Sequence, residues 1–131
     1  MEITMTTHID LVDRYITSWN EPDSSRRRAL IAQTWTDGVS YLDPVMQGDG
    51  HAGIDAMISG VQAKFPGHRF RRVGEVDTHQ DCIRFSWELI PESGLALAKG
   101  ADFGIVAEDS RLVAVTGFFD LLPNQGQGGA G

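Results

Sequence analysis

The chain has 131 residues, enough for one domain around one hydrophobic core. Hydrophobic residues make up 41% and charged residues 22%, an ordinary globular balance that argues against a disordered or collagen-like chain. Asp and Glu number 18 against 11 Lys and Arg, and the net charge of −7 repels phosphate backbones and anionic lipid, so neither nucleic acid nor a membrane is an expected partner. The single cysteine, Cys82, excludes an internal disulfide and the multi-cysteine metal motifs. The N-terminus lacks a basic stretch followed by an apolar one, and no apolar run approaches the roughly 20 residues of a membrane span. The expectation from these absences is a soluble cytoplasmic protein.

Ile9, Val12, Tyr15, Ile16 and Trp19 recur at steps of three and four, which predicts a helix with Thr6 or Thr7 as its N-cap. Pro22 ends it, and Asp23 or Ser24 caps a second helix through about Trp35. Asp37-Gly38 reads as a turn, and Val39 to Leu42 as a short strand closed by Asp43-Pro44. Gln47 to Gly53 reads as a glycine-rich loop. Ile54, Met57, Ile58, Val61 and Phe65 then give a third helix, from about Gly53 to Lys64. From Arg69 the period changes to two. Strands are expected at Arg69–Thr78, Cys82–Ile90, Leu95–Glu108 and Leu112–Leu122, with turns short enough for antiparallel neighbours. Residues 123–131 contain four glycines and are expected to be a disordered tail, leaving residues 1–122 as the single domain.

Helices followed by strands argue for an α+β fold with an antiparallel sheet. Three helices on one face of a curved sheet enclose a space, so polar residues pointing into that space are informative.

Asp43 ends an apolar strand before a rigid proline. It is either a general base at the edge of the core or a turn-initiating aspartate. Asp102 lies in an apolar strand, sharing a face with Gly104 and Val106. On the concave side its carboxyl is buried and its pKa rises; on the convex side it is a solvated strand residue. Tyr15 lies on the apolar face of the first helix, as a core residue or with its hydroxyl in a cavity. Asp120 reads as a solvated charge, and Arg69, Arg71 and Arg72 as a solvated sheet face. Asp49 and His51 beside Asp43 lack metal-ligand spacing, so no metal is expected.

The segments Tyr15–Asn20, Trp35–Val39, Tyr41–Pro44, His51–Asp55 and Gly100–Phe103, in this element order, resemble the nuclear transport factor 2-like superfamily, and the SnoaL-like domains within it. The resemblance covers about residues 7–122. It implies a cone-shaped α+β fold (cystatin-like), a curved antiparallel sheet around three helices with a pocket at the wide end. It also implies a homodimer through the convex sheet face. The pocket's substrate contacts would be Trp19, Tyr41, Met57 and Phe119.

Within the superfamily, the helix-one tyrosine of ketosteroid isomerases resembles Tyr15, with a similar run to Asp23. Their general-base aspartate, also followed by Pro-Val, resembles Asp43. Their protonated oxyanion-hole aspartate resembles Asp102, with Arg111 after the next turn. The chain departs from those enzymes in having only two tyrosines, Tyr15 and Tyr41, so their tyrosine network is missing. SnoaL-like cyclases use one aspartate as acid and base in an aldol ring closure, a role that would fall to Asp102. The resemblance therefore implies a protein that binds a small hydrophobic carbonyl compound, without cofactor or metal. It would isomerise or cyclise that compound through Asp43, Asp102 and Tyr15, with Asp102 neutral and Asp43 ionised near pH 7. The alternative is a non-catalytic ligand-binding or dimerisation module.

Overall fold

A computed structural model describes residues 2–122, with side chains from residue 7 onward. The tail expected at residues 123–131 lies outside the described residues. The element order is α1 (Glu2–Asn20), α2 (Ser24–Thr34), β1 (Trp35–Leu42), β2 (Gln47–Asp49), α3 (Gly50–Lys64), β3 (Arg69–His79), β4 (Cys82–Ile90), β5 (Ala98–Val106) and β6 (Leu112–Leu121). Six strands form one sheet in the order β2-β1-β6-β5-β4-β3, with three helices, an α+β architecture as expected.

The helices follow their sequence signals closely. α1 starts earlier than its expected cap, since residues 2–6 contain neither Pro nor Gly to stop it. It buries Leu11, Val12, Tyr15, Ile16 and Trp19 along one stripe. Asp23 caps α2, accepting from the Arg26 backbone N–H at 2.9 Å. Arg27, buried, donates to Asp55 at 2.6 Å and to the Glu21 carbonyl at 3.0 Å, which ties α2 and the α1–α2 turn to α3.

The sheet departs from expectation in three places. The β1–β6 pairing is parallel, while the other four are antiparallel. α3 and four strands separate β1 from β6 and supply the long connection a parallel pair needs. β1 begins at Trp35, fully buried, and Asp37-Gly38 falls in a register shift between Trp35 and Ser40 instead of a turn. The glycine-rich loop contains β2, which pairs antiparallel with β1, Tyr41 facing Gly48. Gly48 is buried against α3: a Cβ there would lie 3.0 Å from the Gly53 carbonyl oxygen. α3 starts at Gly50, whose φ of +71° suits glycine, and not at Gly53.

Alternation decides the faces of the long strands. Ile83, Phe85, Trp87 and Leu89 of β4 point inward and are buried. On β5, Gly100, Asp102, Gly104 and Val106 point inward, while Lys99 and Phe103 are exposed. On β6, Val115 and Gly117 are inward and Phe118 outward.

Candidate active site

A cavity of about 750 Å3 lies between α1, α3 and the concave sheet face, within the size range of small-molecule sites. Tyr15, Trp19, Tyr41, Asp43, Met57, Asp102 and Phe119 all line it. Most of the remaining wall is apolar, from Ile16, Val61, Phe70, Leu89 and Leu97 among others. Four polar residues cluster at its buried end, where Asp43 is 7% and Asp102 3% exposed.

Each carboxyl has its own tyrosine. The Tyr15 hydroxyl donates to Asp102 Oδ2 at 2.5 Å, and the Tyr41 hydroxyl donates to Asp43 Oδ2 at 2.6 Å. Asp102 Oδ1 also accepts from Trp87 Nε1 at 3.0 Å. Asp43 Oδ1 accepts from the backbone N–H groups of Val45 at 2.9 Å and Met46 at 3.0 Å. Asp43 thus has the turn-organising character its sequence position allowed, and it also lines the cavity. One oxygen organises the turn after Pro44, and the other faces the tyrosine at the cavity floor. Three donors converge on its two oxygens.

Burial raises the Asp102 carboxyl to about 6; the hydrogen bonds from Tyr15 and Trp87 pull it down, and the Asp43 charge adds to the rise. The direction matches the sequence expectation but the extent is smaller. Two buried donors, the Tyr15 hydroxyl and the Trp87 indole, stabilise its anion and limit the rise. Burial, then the charge on Asp102, holds the Tyr15 hydroxyl well above its usual range; burial and both carboxylates do the same for Tyr41. Both phenols therefore keep their protons and remain donors.

Sequence reasoning missed two residues of this site. Trp87 reads as one more inward aromatic of β4, and nothing in its pattern says that its indole N–H meets a carboxyl. Gly117 faces Asp102 across the β5–β6 ladder. A Cβ at Gly117 would lie 2.8 Å from Asp102 Oδ1 and 3.2 Å from both the Asp43 Cβ and the Tyr41 hydroxyl oxygen. The gap at this glycine takes in the Asp102 carboxyl and is bordered by the Asp43 Cβ and the Tyr41 hydroxyl. Other sequence candidates lie elsewhere. Asp23 is the α2 cap, Asp120 is exposed, and Arg111 pairs with Asp109 at 2.9 Å and donates to the Ala32 carbonyl at 3.1 Å. His51 bonds the Trp35 carbonyl oxygen at 2.7 Å.

No family model and no curated protein sequence matches the chain. Among solved structures, it is similar to a candidate isomerase of the SnoaL-like family from Agrobacterium tumefaciens str. C58. The identity is 43% and the TM-score 0.84, over 88% of this chain and 99% of that one. A candidate SnoaL-like polyketide cyclase from Jannaschia sp. CCS1 shares the fold at 17% identity and a TM-score of 0.71, over 88% and 87% of the two chains. A protein of unknown function with a cystatin-like fold from Nostoc punctiforme PCC 73102 does so at 13% identity and 0.68, over 88% and 90%. The last two likenesses speak for the fold alone, since one architecture hosts many activities and none. The first extends to the sequence across nearly the whole of both folded chains, and on that ground this chain belongs to the SnoaL-like family.

Proposed function

We propose that the chain is a cofactor-independent isomerase or cyclase acting on a small hydrophobic carbonyl compound held in the cavity. Both reactions need a base to remove a proton alpha to a carbonyl and an acid to serve the oxygen that gains charge. The observation that carries this reading is the unlike surroundings of the two carboxyls. Asp43 sits among three hydrogen-bond donors, while burial raises Asp102 to about 6. Two carboxyls in such unlike surroundings can divide the roles of base and acid. Asp43 takes the alpha proton on Oδ2. Asp102, when protonated, and Tyr15 donate to the carbonyl oxygen. Trp19, Tyr41, Met57 and Phe119 hold the apolar body.

The test is exchange of alpha protons for deuterium in hydrophobic ketones, followed by NMR in deuterated buffer. The wild type is expected to catalyse exchange, with kcat/KM falling as pH rises through about 6, because the acid Asp102 loses its proton there. Asp43→Asn is expected to lose about 10²–10⁴-fold. A rate that instead rises through the same pH assigns the base role to Asp102, as in a single-aspartate cyclase. Ligand binding without exchange in any substrate would make the pocket a binding module. We also propose a homodimer through the convex sheet face, where Phe103 is 39%, Val113 39% and Phe118 61% exposed.

A further inference from the structure

The cavity has two unlike ends. The buried end holds Asp43, Asp102 and the two tyrosines. The outer rim is marked by the exposed lining residues Val45, Ala56, Gly60 and Lys64. Lys64 is the last residue of α3, and its Nζ lies 5.7 Å from the centroid of the Phe65 ring, which also lines the cavity. Among the described residues no carboxylate lies within ion-pair reach of Lys64. The chain's other lysine, Lys99, pairs with Glu88 at 3.8 Å, and most of the arginines are likewise paired, as Arg71 is with Glu88 at 2.8 Å. A cation in the last turn of a helix also complements the helix dipole, but that role requires no place on a cavity rim and leaves the ammonium free for a ligand.

We propose that the ligand of this pocket is a hydrophobic carboxylate whose anionic group pairs with Lys64 at the rim, its carbonyl-bearing end reaching Asp43 and Asp102. The inference rests on the functional reading above and names its substrate class. A chain with a net charge of −7 repels an anion over most of its surface, and two carboxyls at the cavity floor repel it there too. Lys64 is thus the local attraction that admits an anion and sets its orientation. The charged group stays outside, the apolar body fills the cavity, and the carbonyl end enters first.

The experiment is titration calorimetry of the whole chain at about pH 8 with two probes, 4-(4-acetylphenyl)butanoate and its methyl ester. They share a ketone and an apolar body and differ in charge. The wild type is expected to bind the carboxylate about two- to five-fold tighter than the ester, the size of an exposed ion pair. About 0.5 M salt should erase that preference by screening. Lys64→Gln should erase it too, with the affinity for the ester unchanged. Equal or tighter binding of the ester by the wild type overturns the inference, as does a preference that survives Lys64→Gln. Catalysed exchange in neutral ketones without a carboxylate preference overturns this inference alone. Binding of neither probe, together with no exchange, overturns the functional reading as well.

Discussion

Asp102 and Gly117 face each other across the β5–β6 ladder, and the Asp102 carboxyl lies against the position that a side chain at residue 117 would take. The same gap borders Asp43 and the Tyr41 hydroxyl. Two carboxyls share one cavity floor because the residue between them has no side chain.

Gly117→Ala should therefore displace the Asp102 carboxyl from Tyr15 and Trp87, both of which hold it by hydrogen bonds. Overpacking of this kind costs about 1–3 kcal/mol. Urea unfolding should show that loss, and catalysed exchange should fall with it. A variant of wild-type stability and activity would mean that the carboxyl moves aside freely.

The raised pKa of Asp102 makes a signed prediction about stability. Its folded value of about 6 lies above the unfolded value near 3.9, so the folded state binds the proton more tightly. The ionised form then costs stability, on the order of 3 kcal/mol, growing from about pH 4 to about pH 6 and level above that. Asp102→Asn removes this cost but leaves either the Tyr15 hydroxyl or the Trp87 indole without its acceptor, a penalty of about 1–3 kcal/mol at every pH. The unfolding free energy of the variant relative to wild type should thus shift in the variant's favour between pH 4 and pH 7. A shift in the opposite direction would identify Asp102 as a carboxylate stabilised in its charged form.

Trp87→Phe keeps a ring on the inward face of β4 and removes the N–H that Asp102 Oδ1 accepts. That hydrogen bond favours the anion, so its loss should raise the Asp102 pKa by about one unit. The upper limb of the pH–rate profile for exchange should move up by the same amount. An unmoved limb would assign it to a group other than Asp102.

Phe118, at 61% exposed, stands on the convex face beside Phe103. Phe118→Glu should convert the proposed wild-type dimer to a monomer in light scattering, with the circular dichroism spectrum unchanged. A wild type that scatters as a monomer at all concentrations removes the dimer from the account.

The sequence by itself determined which residues of an element share a face, because side-chain direction repeats every 3.6 residues in a helix and every two in a strand. That rule put Tyr15 and Trp19 on the inner stripe of α1, and it gave Asp102 the same side as Gly104. The cap at Asp23 and the stop at Pro22 were equally local. The tertiary structure alone decided which inward groups meet. Tyr15 and Asp102 are 87 positions apart, and no periodicity says that one hydroxyl reaches one carboxyl. The parallel pairing of β1 with β6 and the three-residue strand β2 inside a glycine-rich loop were settled by packing against distant partners. The roles of Trp87 and Gly117 arise the same way. An indole and a glycine acquire meaning at this site only because neighbouring strands bring Asp102 beside them, and strand register is a property of the whole sheet.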